Sequence, residues 1–149
     1  MSDYEGVKYV LDLEACYDLA SAGQNRKAAF FDFAETNRVA ITGDVFRQLK
    51  HLDKDLANEI KSSSVEIVEC DQVIFQRTEN LAQLLAVSAA RLDKAATEKI
   101  QILAVVSCAQ NGSLPKCVLV TGDPGAHRSS MKALGTALKI TVVSVDKVF

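Results

Sequence analysis

The stretch KCVLVTGDPG, residues 116–125, decides the fold. Its segment CVLV at 117–120 is apolar without a break, and turn-forming residues follow directly. Such a run predicts a central strand of a parallel sheet, buried on both faces. Ligands of open α/β sheets bind just beyond the carboxyl ends of these strands, which makes Asp123 a candidate functional residue. The alternative is that Asp123 only caps the turn or the next helix.

Strand-like and helix-like segments alternate along the rest of the chain. The segment VKYVLD at 7–12 predicts a first strand that ends at Asp12. Further β-type runs are found at 38–42, 65–68 and 140–145. Apolar residues three and four positions apart predict the helices between them, including one long helix over 43–60 with Asp44 as its N-cap. This alternation predicts an α/β fold in which helices cover a parallel sheet, and the length predicts a single domain over residues 1–149.

The composition narrows the range of functions. The chain has 149 residues, a formal net charge of −2 and no long block of Lys or Arg, which excludes a strongly electrostatic, non-specific nucleic-acid binder. None of the four cysteines forms a zinc-ligand pair with another cysteine or a histidine. The sequence shows no signal peptide and no apolar run of membrane-spanning length. We therefore expect a cytoplasmic protein without a membrane partner.

Two predicted strands end in an aspartate, Asp12 and Asp123. If these strands are neighbours, the two carboxylates converge at one edge of the sheet and repel each other unless a positive charge lies between them. A hard divalent cation such as Mg²⁺ meets this need, and it activates water and stabilises a phosphoryl transition state. The alternative is that each aspartate caps its own turn.

Four segments resemble the PIN-domain ribonucleases. YVLDLEACYDL at 9–19 is similar to their first motif, and CVLVTGD at 117–123 is similar to their fourth. RVAITGDVFRQLKHLDKDLANEIKS at 38–62 is similar to the second-motif strand and helix, and MKALGTALKITVVSVDKVF at 131–149 to the closing helix and strand. The resemblance implies a three-layer α/β/α sandwich with a small, mainly parallel central sheet. It also implies an endoribonuclease dependent on Mg²⁺ or Mn²⁺, with RNA as substrate. Many members are toxins paired with an antitoxin, and homodimers are common.

The resemblance assigns the acidic positions one by one. Asp12 matches the first and Asp123 the last, as catalytic residues and metal ligands. At the second position this sequence has Gln48 where the family has glutamate, and Asp44, one turn earlier on the same helix, is the candidate substitute ligand. At the third position strict spacing falls on Lys99.

Glu98, adjacent to Lys99, is the candidate third catalytic residue and metal ligand. The candidate substrate contacts are Gln48, Thr121, Lys99 and Arg128. Because Gln48 and Lys99 depart from the family pattern, a PIN-like binding module that has lost catalysis and acts through protein partners is the alternative function. A hydrolase of smaller phosphate esters on a similar sheet also remains open.

Overall fold

The computed structural model describes residues 6–87, 94–110, 117–122 and 130–148, and of residues 86–87, 94–98, 110 and 146 it describes the backbone alone. Helices and strands alternate along these residues. In chain order they are β1 (Tyr9–Leu11), α1 (Leu13–Ser21), α2 (Gln24–Thr36), β2 (Val39–Thr42), α3 (Gly43–Leu52), α4 (Lys54–Lys61), β3 (Glu66–Val68), α5 (Gln72–Val87), α6 (Lys94–Gln110), β4 (Val118–Thr121), α7 (Met131–Ala137) and β5 (Val142–Ser144). A 3₁₀ turn, Val145–Lys147, follows the last strand.

The five strands form one all-parallel sheet in the order β3-β2-β1-β4-β5. Val10 of the middle strand is in register with Ala40 on one side and Leu119 on the other. Parallel strands need crossover connections, and these are right-handed, so α1 to α4 cover one face and α5 to α7 the other. The predicted three-layer α/β fold is therefore confirmed. The strands that precede Asp12 and Asp123 are neighbours, as convergence of the two aspartates requires.

The core lies between the sheet and its two helix layers. All four residues of β2 are buried, as expected for a strand covered on both faces. Helix α2 buries Phe30 and Ala34, and Phe33 on the same side packs edge-on against the ring of Tyr9 with the centroids 5.1 Å apart. No helix in the described part of the chain is both long and apolar enough to cross a membrane.

Two predictions about the third helix were wrong. The periodic stretch over 43–60 is two helices, because the Asp53 carboxylate accepts a hydrogen bond from the Leu56 N–H and starts α4 there. The N-cap of α3 is Thr42, whose hydroxyl oxygen accepts from the N–H of Val45 at 3.1 Å. Asp44 lies in the first turn of α3 instead, where a negative charge is favoured by the helix dipole.

Candidate active site

Asp12 is the polar centre of the junction between β1, α1 and β4. Its carboxylate caps α1 by accepting a hydrogen bond from the Ala15 N–H at 2.7 Å. The same oxygen, Oδ1, accepts from the Gly122 N–H at 3.3 Å, and Oδ2 accepts from the Thr121 hydroxyl. The residue is only 3% exposed. Asp12 is thus both a helix cap and a buried acid with a fixed orientation. Its role as a cap therefore does not exclude the hypothesis that it is also a metal ligand.

The backbone beside Asp12 is closely packed. A Cβ on Gly122 would lie 2.5 Å from the backbone oxygen of Glu14 and 2.8 Å from the Ala15 nitrogen. Only glycine allows the end of β4 to approach the start of α1 this closely. Burial, and then the negative charge of Asp12, raises the pKa of the Cys16 thiol well above its ordinary value. Cys16 is therefore a neutral core residue and not a nucleophile.

A cleft of about 310 Å³ opens beside Asp12 at the carboxyl edge of the sheet. Its polar lining consists of Asp12, Glu14, Thr42, Asp44, Gln48, Lys99 and Gln101. Its apolar lining consists of Leu13, Val45, Ile102 and Met131. The described lining therefore carries three carboxylates, two amides and one ammonium group.

Four of the predicted site residues line this one cleft: Asp12, Asp44, Gln48 and Lys99. They come from β1, α3 and α6, which the strand order brings together at the same edge. Thr121 is buried and its hydroxyl donates to Asp12. Asp123, Arg128 and the Glu98 side chain lie outside the described residues.

The sequence analysis missed two charged residues that are linked to the cleft through Asp44 and do not line it themselves. Arg47 donates to Asp44 with Nη2 and Oδ1 2.5 Å apart, and its other terminal nitrogen donates to both carboxylate oxygens of Glu69 at 3.2 and 3.3 Å. The hydrogen bonds with Asp44 and then Glu69 raise the pKa of the Arg47 guanidinium. Glu69 directly follows β3, so the available signal was its place at the carboxyl end of a parallel strand.

The chemistry of this donor set fits a hard divalent cation. Carboxylate and amide oxygens are the ligands that Mg²⁺ and Mn²⁺ prefer, and the cleft presents Asp12, Asp44 and Gln48. Within residues 6–87, 94–110, 117–122 and 130–148, no group of three or more His, Cys, Asp or Glu side chains is arranged to hold a metal ion. The two other predicted acidic ligands, Asp123 and the Glu98 side chain, are not among the described ones.

The sheet order, the helix layers and the edge cleft define a PIN-like fold, as the sequence predicts. No protein family model matches the sequence, and no curated protein matches it. Among solved structures, the chain is similar to VapBC2 from Rickettsia felis, crystallised bound to a DNA fragment from its promoter. The TM-score is 0.64 at 16% sequence identity, over 93% of this chain and 98% of that one. At this identity the similarity concerns the fold.

Proposed function

We propose that this protein is a metal-dependent endoribonuclease that hydrolyses RNA phosphodiester bonds. The observation that carries the proposal is the buried, rigidly oriented carboxylate of Asp12, which lines an edge cleft shared with Asp44 and Gln48. Asp12 and Asp123 would hold Mg²⁺ or Mn²⁺, with Glu98 and Asp44 as further ligands. The bound cation would activate water and stabilise negative charge on the phosphate.

The chain's own residues prepare the cleft for this reaction. Hydrogen bonds from Ala15, Thr121 and Gly122 fix the carboxylate of Asp12, so it needs little reorganisation to act as a ligand. Lys99 provides a positive charge in the same cleft, where a phosphate oxygen of the substrate is its natural partner. Gln48 offers an amide that both donates and accepts hydrogen bonds.

A toxin of a toxin–antitoxin pair is the biological setting that we propose for this activity. The structural neighbour from Rickettsia felis is a VapBC2 complex bound to promoter DNA. By analogy with that complex, the partner that we propose for this chain is an antitoxin protein. We also propose that the protein acts in the cytoplasm and that it forms a homodimer.

A specific observation favours a second candidate function. Gln48 and Lys99 both line the cleft, at the two positions where the family resemblance implies carboxylates, so the site carries less negative charge than the family pattern implies. On this second hypothesis the protein is a catalytically degenerate PIN-like module that acts through protein partners.

Calorimetric titration with Mn²⁺ and Mg²⁺ tests the two functions. We expect saturable binding to the wild type and loss of binding in Asp12→Asn and in Asp123→Asn. Asp53→Asn is the matched control, because Asp53 is also a helix N-cap but does not line the cleft. We expect this control to bind the cations like the wild type.

Cleavage assays then separate the substrates. Metal-dependent cleavage of RNA without hydrolysis of mononucleotides supports the ribonuclease, and the reverse pattern supports a hydrolase of smaller phosphate esters. Absence of cation binding in the wild type would refute the ribonuclease and favour the binding module. Binding that survives Asp12→Asn would refute the site as assigned.

A further inference from the structure

One guanidinium, which does not line the cleft itself, is shared between two carboxylates. Arg47 lies on α3, one turn after Asp44, and it contacts both Asp44 at 2.5 Å and Glu69 at 3.2 Å. All three side chains are more than half exposed, at 56%, 53% and 65%. Ion pairs this exposed are weak, since water screens them and ordering the side chains costs entropy. The ion pair with Arg47 therefore orients Asp44 only weakly, and the side chain of Asp44 can leave it at little cost in free energy.

The two carboxylates differ in their relation to the cleft. Asp44 lines it, whereas Glu69 is not part of the lining. Glu69 comes close to the backbone at Gly43, where a Cβ would lie 2.5 Å from its carboxylate. Because Gly43 has no side chain, the Glu69 carboxylate has room to keep its ion pair with Arg47. If Asp44 turns away, the guanidinium keeps one carboxylate partner, which lowers the cost of that movement.

We propose that Arg47 is a positioning residue that controls whether Asp44 can reach a divalent cation in the cleft, with Glu69 retaining the guanidinium when Asp44 leaves it. This inference rests on the proposed metal site. In the cation-free protein Asp44 forms an ion pair with Arg47, and in the cation-bound protein Asp44 coordinates the cation instead. Asp44 thus serves as the second acidic ligand only when a cation is bound, and it then supplies the negative charge that Gln48 lacks. In the cation-free protein its pairing with Arg47 avoids repulsion between neighbouring carboxylates.

A double-mutant cycle on Mn²⁺ affinity tests the proposal. Arg47→Gln releases Asp44, and we expect the affinity to rise about two- to fivefold, the range that corresponds to loss of an exposed ion pair. In an Asp44→Asn background the same substitution should change the affinity less, because the ion pair that competes with the cation is already absent and only the charge of an exposed guanidinium, weakened by water, is removed. The difference between the two backgrounds measures the competition between Arg47 and the cation for Asp44.

Lys50→Gln is the charge-matched control. It removes one positive charge from the same helix, but the Lys50 ammonium lies over the Phe46 ring, 5.7 Å from its centroid. We expect a change of less than about 1.5-fold. The converse variant, Glu69→Gln, leaves Asp44 as the only anionic partner of Arg47 among the described residues, and we expect it to lower Mn²⁺ affinity about two- to fivefold. This decrease should disappear when Arg47→Gln is added.

Paramagnetic resonance of bound Mn²⁺ provides a readout that a purely structural role would not move. Asp44→Asn should change the line shape if Asp44 becomes a ligand, and Lys50→Gln should not. An equal rise in affinity on Arg47→Gln with and without Asp44, or no rise at all, would overturn the proposal. Binding that depends on Asp12 but not on Arg47 refutes this inference alone, whereas no Mn²⁺ binding by the wild type refutes the metal site as well.

Discussion

Replacing Asp12 by alanine or by asparagine separates its structural role from its charge. Alanine removes the N-cap of α1, which costs about 1 kcal/mol. It also removes the hydrogen bond between the buried Thr121 hydroxyl and Asp12, a loss that costs about 1–3 kcal/mol. The Gly122 N–H contributes less, since its bond is long at 3.3 Å and the residue is only partly buried. We therefore expect Asp12→Ala to lower the free energy of unfolding by about 2–4 kcal/mol.

Asparagine keeps most of these contacts. It is as good an N-cap as aspartate, and its amide oxygen can accept from both Ala15 and Gly122. The amide nitrogen then faces Thr121, whose hydroxyl can accept as well as donate. We expect Asp12→Asn to cost less than about 1 kcal/mol, although it removes the charge on which the proposed cation binding depends.

Urea denaturation at neutral pH measures both variants. The midpoints should differ while the dependence of the free energy on urea stays constant, because the surface exposed on unfolding is the same. The expected gap of about 1–4 kcal/mol between alanine and asparagine corresponds to a difference in melting temperature of about 2–16 °C for a chain of this size. Equal destabilisation by both substitutions would refute the reasoning, since the hydrogen bonds would then not account for the stability. A loss of less than about 1 kcal/mol in the free energy of unfolding of Asp12→Ala would also refute the reasoning.

Three further predictions concern the surroundings of this site. Gly122→Ala places a methyl group against the backbone of Glu14, and we expect a loss of about 1–3 kcal/mol in urea denaturation; an unchanged midpoint would contradict the close approach. Burial raises the pKa of the Cys117 thiol from its ordinary value of 9.0 to about 12, so the folded protein retains a proton that the unfolded chain loses between these values. The free energy of unfolding should therefore fall as the pH rises from 9 towards 12, and Cys117→Ala should make that fall shallower by up to about 1.4 kcal/mol per pH unit; identical slopes would refute the assignment. Gln48→Glu adds a carboxylate to the cleft and should raise Mn²⁺ affinity in calorimetry, whereas no change would show that this side chain does not reach the cation.

The sheet could be predicted from the sequence because its strands are short apolar runs followed by turn residues. The run at 117–120 indicates a central strand, and β4 does have a partner on each side. The end of β1 at Asp12 was equally clear, since an apolar strand gives way directly to a helix-capping acid. The pairing of these two strands, more than a hundred residues apart, could only be assumed, because periodicity contains no information on strand order.

Local chemistry explains the errors in the helices. The apolar spacing runs through Leu52 and Leu56 without a break, so the pattern does not show that Asp53 between them caps a new helix. At the start of α3 the sequence offers two capping side chains, Thr42 and Asp44, and the extended backbone at Thr42 selects the first.

The contacts of Arg47 depend on three-dimensional packing. Its bond to Asp44 is within one helical turn and can be anticipated from spacing alone. Its bond to Glu69 spans 22 residues and requires that β3 pair with β2, which brings the end of β3 beside the first turn of α3. A pairing of this kind follows only from the register of the sheet.

The hydrogen bonds from β4 to Asp12 also affect when the site is completed during protein synthesis. The Thr121 hydroxyl and the Gly122 N–H come from residues 109 and 110 positions later in the chain. A nascent chain that has made β1, β2 and β3 therefore has the acid and its helix cap but lacks two of the donors that orient it. Closing so long a loop is slow compared with forming local contacts. The cleft thus acquires its final geometry only after β4 has inserted beside β1, and a chain interrupted before residue 121 would retain Asp12 without two of the hydrogen bonds that orient its carboxylate.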